Sequence, residues 1–268
     1  MKPGIYDGMP NADYHGQKDW LGSTSLKTLA MQTPAHYRWQ ADNPSPSKPE
    51  FIIGTAAHSL ILEDDTSKIQ MLDFDNYRKK AAQEARDEAI ANGAQPLLAH
   101  EWAEVVAMRD AVMANPLARQ AFTNHVAEQS FFWQEDGLGL KCRPDAQIPG
   151  LIADLKTTVT AAPNDFGRRA FDLGYFMSAV HYQDGVQMLT GERPEFVFVQ
   201  VEKSAPYLVS VVQLDQDAAQ WGRAMLDRAK RIYRECTAAN NWPGYPQFST
   251  VGLPKWAEYQ LEELAENE

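Results

Sequence analysis

The sequence is poor in cysteine, in long apolar runs and in net positive charge. Cys142 and Cys236 are the two cysteines, too few for a disulfide framework or a four-cysteine iron–sulfur cluster. No apolar run approaches the roughly 18 residues that a membrane span needs. The opening MKPGIYDGMP lacks the basic and then apolar pattern of a signal peptide. We therefore expect a cytoplasmic protein without membrane contact.

The net charge of −11 argues against a broad surface that coats nucleic acid, because such binding neutralises many phosphates. A local basic groove remains compatible with this charge. Between residues 141 and 169, five basic residues stand against three acidic ones. The basic residues are Lys141, Arg143, Lys156, Arg168 and Arg169, and the acidic ones are Asp145, Asp154 and Asp165.

The 268 residues contain no Gly/Ser linker or shift in composition that would favour two domains, so we expect a single domain over residues 1–268. Strand-like and helical patterns alternate, which predicts an α/β fold. The predicted helices include 76–92, 100–113, 163–171, 175–189 and 215–234, with Ser23 as the N-cap of an earlier one. The polar stretch 43–49 is predicted to be a loop.

The stretch from Leu138 to Thr157 predicts two strands, 140–148 and 151–157, joined by a tight turn at Pro149-Gly150. A two-residue turn fixes the register by counting: Ile148 would face Leu151, and Asp145 would face Asp154. Arg143 would then face Lys156. Because side chains alternate between the faces of a strand, these two pairs form one polar quartet.

Two carboxylates opposite each other destabilise a sheet unless something compensates their charge. A hard divalent cation such as Mg²⁺ or Mn²⁺ would do so, since such ions prefer carboxylate oxygens and accept phosphate oxygens as further ligands. Lys156 is placed to hold a water or hydroxide and to offset charge on a phosphate. The quartet therefore indicates metal-assisted phosphodiester hydrolysis, with Asp145, Asp154 and Lys156 as catalytic residues.

Two alternatives stay open at this point. Asp154 and Lys156 could alternate on a solvated strand face without any function. A longer turn or a bulge could also shift the pairing by one residue and send the two carboxylates to opposite faces.

The motifs resemble a known family of nucleases. Pro144-Asp145 followed by Asp154-Leu155-Lys156 is similar to the PD-(D/E)XK core, a central mixed sheet flanked by helices. Gly54-x-x-x-His58 and the Thr157-Thr158 that follows the core resemble its RecB-like branch, above all the RecE-type nuclease domains. The resemblance extends from Ser23-Thr24-Ser25-Leu26 to about Gly191.

The resemblance implies further site residues. His58 and the backbone carbonyl of Leu155 would join Asp145 and Asp154 as ligands of one or two ions, although a lone histidine on such a helix is often a core residue. Imidazole is a softer ligand than carboxylate, so Mn²⁺ is as plausible as Mg²⁺. Glu128, just before a strand, is at the place where many nucleases of this fold bring an acid towards the metal. An exposed glutamate at a helix end is equally ordinary.

Five residues are candidate contacts of DNA: Arg143, Thr157, Tyr182, Arg168 and Arg169. The two last arginines could equally be plain surface charge. Tyr182 stands where the family has the tyrosine of a Gln-x-x-x-Tyr motif. Ser178 takes the place of the glutamine, which is a departure from the family pattern.

The resemblance to RecE-type nucleases implies a metal-dependent 5′-to-3′ exonuclease on linear double-stranded DNA. It would leave 3′ overhangs for phage-type recombination, act as a homotetramer and work with a single-strand annealing protein. The alternatives are a RecB-like nuclease of other end preference, a non-cleaving DNA- or partner-binding module with this fold, and an unrelated α/β protein with a structural hairpin.

Overall fold

The computed structural model of the protein describes residues 1–43 and 52–266. Its strands, in chain order, are β1 (Gly4–Tyr6), β2 (Ile69–Leu72), β3 (Gln95–Leu98), β4 (Val126–Ala127), β5 (Ser130–Glu135), β6 (Leu138–Cys142), β7 (Ala146–Ile148), β8 (Leu151–Thr158), β9 (Glu195–Glu202) and β10 (Val209–Val212).

The helices in these residues are α1 (Asn11–Gly16), α2 (Ser23–Met31), α3 (Pro34–Asp42), α4 (Ile52–Glu63), α5 (Lys80–Ala91), α6 (Ala99–Ala114), α7 (Pro116–Ala121), α8 (Pro163–Asp172), α9 (Tyr175–Thr190), α10 (Gln216–Ala239) and α11 (Lys255–Glu266). None of the helices in the described part of the chain is long and apolar enough to cross a membrane.

The central sheet has five strands in the order β10-β9-β8-β7-β4. β8 and β9 run parallel, joined by a crossover through α8 and α9, and the other neighbours are antiparallel. A smaller antiparallel sheet has the order β1-β5-β6, and β2 pairs with β3. The predicted α/β fold with a mixed sheet flanked by helices is confirmed.

Apolar side chains cover both faces of the central sheet. On one face Ile152 and Phe198 pack in the core that includes residues of α2, α9 and α10. On the other face Ala153, Leu155 and Val199 pack with residues of α4, α6 and α7. β8 is therefore buried on both faces from residue 152 to residue 155.

The predicted first strand, 140–148, is wrong as one element. The chain forms β6 in the small sheet, leaves it after Cys142, and joins the central sheet as β7 from Ala146. The register across the turn is nevertheless as predicted: Ile148 pairs with Leu151 and Ala146 with Ala153.

The predicted pairing of Arg143 with Lys156 does not form, because the pairing of β7 with β8 ends at Ala146, opposite Ala153. Arg143 lies in the break between β6 and β7, and its guanidinium donates hydrogen bonds to Ser130 and to the first residues of the chain. The quartet is therefore a trio, Asp145, Asp154 and Lys156.

Most predicted helices are present with shifted ends. The helix predicted from residue 76 begins at Lys80, and Asp215 caps α10 by accepting a hydrogen bond from the Ala218 N–H at 2.8 Å. Ser23 is not the N-cap: Gly22 takes that position, and Ser23 is the first helical residue. The loop predicted at 43–49 falls, from residue 44 on, outside the described residues.

Candidate active site

The site forms on an edge of β8 that has no neighbouring strand. β9 pairs with the whole of β8, from Leu151 to Thr158, on one side. On the other side β7 has only three residues and its pairing ends at Ala146, opposite Ala153. The backbone groups of Leu155 that point towards this side therefore need other partners.

Side chains supply those partners. Asp145, the residue before β7, accepts a hydrogen bond from the Leu155 N–H at 2.7 Å through its Oδ2. His58 of α4 bonds to the backbone of Leu155, and its Nδ1 lies 3.8 Å from the same Asp145 oxygen. Burial lowers the pKa of His58 to about 4, and the bond to Leu155 opposes this shift, as expected where the imidazole donates and the Leu155 carbonyl accepts.

Asp154 and Lys156 flank Leu155 on β8 and form an ion pair. Only 6% of the Asp154 side chain and 26% of the Lys156 side chain are exposed. Burial lowers the pKa of Lys156, but Asp154 and Asp145 outweigh it and hold the pKa above the usual value. The amine therefore stays an ammonium ion, suited to stabilise negative charge rather than to accept a proton.

The acids of the site repel each other. Burial raises the pKa of Asp154 to about 6; the Lys156 ammonium opposes this shift and Asp145 adds to it. Burial likewise raises the pKa of Asp145. Burial and then Asp145 raise the pKa of Glu128 to about 8, against Arg143. The pKa of each of these three carboxyl groups is raised, so further positive charge nearby would stabilise their ionised forms. Carboxyl groups perturbed in this way are candidates for a functional site.

Glu128 reaches this cluster because of its backbone position. It has a φ of +51°, and its N–H donates to the Asp145 carbonyl at 3.2 Å. This bond continues the pairing of β4 with the residues before β7. Its neighbourhood to Asp145 fits the sequence prediction, and its role as a ligand stays a prediction.

A cleft of about 600 Å³ opens at the site. Gly54, His58, Thr157, Arg143 and Glu128 are among its lining residues. Lys68 and Lys203 also line it, and no motif in the sequence singles them out. The lining thus contains three cations and two acids, Glu63 and Glu128, within a protein of net charge −11. Asp145, Asp154 and Lys156 are not among the lining residues.

The predicted DNA contacts are in different positions. Arg143 is buried and bound to protein groups: its Nη2 donates to the Met9 carbonyl at 3.0 Å, and the guanidinium lies 4.2 Å from the centroid of the Tyr14 ring. Thr157 is half-buried at the cleft wall, and Tyr182 is half-buried with its ring 6.1 Å from that of Phe196.

The two arginines of α8 differ from each other. Arg169 donates to the Thr158 hydroxyl at 2.8 Å, to the Gln200 side chain at 2.7 Å and to the Thr160 carbonyl at 2.9 Å, and so fixes the loop after β8. Arg168 is exposed over 91% of its side chain. Arg168 is thus the one of the pair free to meet a ligand, and DNA binding by either stays a prediction.

Ser178 bonds within the protein. Its hydroxyl lies 2.7 Å from that of Ser23, which ties the start of α2 to α9. Ser178 is buried. Its side chain is shorter than the glutamine of the family motif, and its hydroxyl bonds to Ser23 inside the protein.

Sequence reasoning missed two residues next to Lys156. The Nζ atoms of Lys156 and Lys27 lie 5.2 Å and 5.9 Å from the centroid of the Tyr175 ring. Burial, and then Lys156, lower the pKa of Lys27. The only signal in the sequence was position: Lys27 follows the Ser-Leu motif and Tyr175 opens a predicted helix.

The donor set suits a hard divalent cation. Asp154 Oδ1 is buried and, among the described residues, has no hydrogen bond of normal geometry beside its ion pair. Two carboxylates, a backbone carbonyl and an imidazole are ligands that Mg²⁺ or Mn²⁺ accepts. As they stand in residues 1–43 and 52–266, no three His, Cys, Asp or Glu side chains are arranged to hold one ion. Asp145 is instead bonded to Leu155, and Asp154 to Lys156.

A mixed sheet whose central strand carries Asp154-x-Lys156, with Asp145 across the turn, defines the PD-(D/E)XK class of nuclease fold. Enzymes of this class typically use divalent metal ions. A family model described as "PDDEXK-like domain of unknown function (DUF3799)" matches residues 22–248. The chain belongs to this family.

A solved structure has the same fold. A crystal structure from Eubacterium rectale, described as a "Putative exonuclease", superposes with a TM-score of 0.63 over 92% of this chain and 96% of that chain, at 14% identity. The structure of SSO0001 covers 74% of this chain and 88% of its own at 11% identity, with a TM-score of 0.30 that supports no conclusion. No curated protein matches the sequence.

Proposed function

We propose that the protein is a metal-dependent exodeoxyribonuclease that degrades linear double-stranded DNA. The observation that carries this proposal is the open edge of β8, where Asp145, Asp154 and Lys156 meet the His58 imidazole. A structural hairpin in an unrelated protein has no need for a helix from elsewhere in the chain to bring an imidazole to 3.8 Å from a buried carboxylate.

Asp145, Asp154, His58 and the Leu155 carbonyl would hold Mg²⁺ or Mn²⁺, with Glu128 as a further acid. Such an ion, when bound, neutralises charge on a phosphate and makes a bound water more acidic. The chain itself provides the Lys156 ammonium, which can hold the attacking water and stabilise the charge that grows on the phosphate. The half-buried walls of the cleft limit bulk water around these groups.

The finer features of the proposal rest on the resemblance of the motifs to RecE-type nucleases. They are 5′-to-3′ polarity, 3′ single-stranded overhangs, a role in phage-type recombination with an annealing protein, a homotetramer, a cytoplasmic location and a single nuclease domain over residues 1–268. The "Putative exonuclease" with the same fold supports attack from an end.

Digestion of linear duplexes labelled at the 5′ or the 3′ end tests both activity and polarity. With Mg²⁺ we expect the wild type to release the 5′ label first, and with EDTA to release neither. Lys156→Ala removes the ammonium and should lower the rate at least about 1,000-fold, or about 4 kcal/mol in the barrier.

The matched control is Lys230→Ala. Lys230 is also a buried lysine paired with an acid, at 2.7 Å from Glu135, but it lies on α10 away from the cleft. This variant should lose stability and keep its rate per folded molecule. Wild-type cleavage rates in a folded Lys156→Ala protein would rule out the mechanism, and release of the 3′ label first would reverse the polarity.

A second candidate is a module that binds DNA without cutting it. The bond between Ser178 and Ser23 favours it, since the family's glutamine is replaced by a side chain that is used inside the protein. DNA binding by the wild type without Mg²⁺- or Mn²⁺-dependent strand loss would select this candidate.

A further inference from the structure

Lys27 has no ion-pair partner among the residues that the structure describes. Its Nζ lies 5.9 Å from the centroid of the Tyr175 ring. Among the described residues, no carboxylate lies within ion-pair distance of this ammonium and no acceptor bonds to it. Lys156, whose Nζ is 5.2 Å from the same centroid, has Asp154 as its partner. Asp154 also acts on Lys27, whose pKa it raises against the larger effects of burial and Lys156, but it forms its ion pair with Lys156.

The Tyr175 ring between these cations is held by packing. It stacks on Phe198 of β9 at 5.5 Å and 25°, and on Phe166 of α8 at 6.1 Å and 28°. Its hydroxyl likewise has no hydrogen-bond partner in the described residues. In the described residues, a ring held by packing thus has a hydroxyl without a hydrogen-bond partner and, 5.9 Å from its centroid, an ammonium without an ion pair.

Two such donors cost free energy unless an acceptor meets them, because half-buried polar groups have given up part of their water. The acceptor must carry negative charge to balance an ammonium that already lies near Lys156. An aliphatic stem packed on an aromatic ring explains the position of Lys27 but supplies no counter-ion.

We propose that Lys27 and the Tyr175 hydroxyl form a phosphate-binding subsite beside Lys156, which holds a backbone phosphate of the bound DNA strand. This inference rests on the proposed nuclease function. The contact forms when DNA binds and strengthens the ground-state complex, so Lys27 sets affinity and Lys156 sets the rate.

The test measures the binding of a labelled linear duplex to the full chain at several salt concentrations, in a Lys156→Ala background that stops cleavage. Each lost phosphate contact makes the negative slope of log K against log salt less steep by about 0.9. We expect Lys27→Met to show this decrease and to weaken binding about five- to tenfold. Lys27→Arg should restore the slope, and Tyr175→Phe should weaken binding about twofold with the slope unchanged.

The matched control is Lys80→Met. Lys80 is an exposed lysine of α5 with an i,i+4 partner in Glu84, and its loss should leave slope and affinity unchanged. In the background that keeps Lys156, the cleavage rate of Lys27→Met at subsaturating protein should fall about five- to tenfold, in proportion to its weaker binding. A lysine with a purely structural role would change stability and not the salt slope.

A Lys27→Met protein that folds and keeps the full slope would overturn the subsite. If Lys27→Met does not fold, Lys27→Gln gives the same test with a polar side chain. Failure of the proposed function has a different signature: the wild type would then not cut DNA, whether or not it binds it, whereas failure of the subsite leaves wild-type cleavage intact and shows only in the salt slope of Lys27→Met.

Discussion

In two helices of the protein a glycine lets a histidine come close to a sheet, but only one of the two histidines lies at the candidate site. In α4, Gly54 precedes His58 by one turn, and a Cβ at Gly54 would lie 3.1 Å from the Thr157 Oγ1 of β8. In α9, Gly185 follows His181 by one turn, and a Cβ there would lie 2.6 Å from Trp133 of β5. In both helices a glycine permits close approach to the strands.

Both imidazoles then bond to a backbone carbonyl, and burial lowers the pKa of each to about 4. His181 Nε2 bonds to the Lys141 carbonyl at 2.9 Å, and its ring packs on that of Trp133 with centroids 5.0 Å apart. His181 is buried, whereas 30% of the His58 side chain is exposed to the cleft.

The difference lies in what surrounds each ring. His58 is beside Asp145, near Asp154 and Lys156, at a strand edge without a neighbour. His181 lies between an indole and a paired strand, β6. A lowered histidine pKa therefore does not identify a functional site by itself. What distinguishes His58 is that it lies beside backbone groups of β8 that β7 does not pair and beside the carboxylates of Asp145 and Asp154.

The largest expected effect separates the two histidines. His58→Ala should lower the rate of DNA cleavage at least about 100-fold, because a ligand of the proposed ion is lost. Its free energy of unfolding should change by less than about 1 kcal/mol. His181→Ala should lose about 2–4 kcal/mol of stability through a cavity and an unbonded Lys141 carbonyl.

Single-turnover cleavage and urea unfolding of both variants measure these effects. The His181→Ala protein should retain the wild-type rate per folded molecule. If His58→Ala cuts at the wild-type rate, His58 has the same structural role as His181 and the proposed ligand set is wrong.

Much of this site could be predicted from local sequence. The turn at Pro149-Gly150 fixes the register as far as Ala146 opposite Ala153. The next residue, Asp145, bonds to the Leu155 N–H and is near enough to Asp154 to raise its pKa. The motif Gly54-x-x-x-His58 indicated a helix in close contact with the sheet, as found. These features depend on residues that are near in sequence or on a short motif.

The parts that failed depend on contacts distant in sequence. Nothing between Leu140 and Ile148 shows that the chain changes sheets, because the change is fixed by Arg143 bonding to Ser130 and to the Met9 carbonyl. The position of Lys27 near Lys156 likewise depends on the packing of α2 against α9, which no periodicity in the sequence shows.

The two glycines give the next largest effect. Gly185→Ala places a methyl group 2.6 Å from Trp133 and 2.8 Å from the Cys142 Sγ, within a buried core, and should cost about 2–3 kcal/mol of stability. Gly54→Ala meets one threonine oxygen at 3.1 Å and should cost less than about 1 kcal/mol.

Activity should respond in the opposite order. A small outward shift of α4 moves His58 away from Asp145, so Gly54→Ala should lower cleavage about three- to tenfold. The rate of Gly185→Ala per folded molecule should be unchanged. Unfolding and cleavage assays on the two variants measure this, and a Gly54→Ala enzyme with the wild-type rate would show that the site tolerates the shift.

The smallest expected effect is the pH dependence of stability that comes from His181. Its folded pKa of about 4 lies below its unfolded value of 6.5, so the unfolded chain binds more protons between these values. The stability that neutral His181 contributes is complete above pH 6.5 and is lost as the pH falls towards 4. Between pH 7 and pH 5 the loss should be about 2 kcal/mol.

Urea unfolding of wild type and His181→Gln at both pH values isolates this contribution, because the other titrating groups are common to the two proteins. We expect the wild type to lose about 2 kcal/mol more than His181→Gln. The pH profile of DNA cleavage per folded molecule should be identical in the two proteins, since His181 faces the core. A cleavage profile that shifts in His181→Gln would join His181 to the chemistry at β8 and end the contrast with His58.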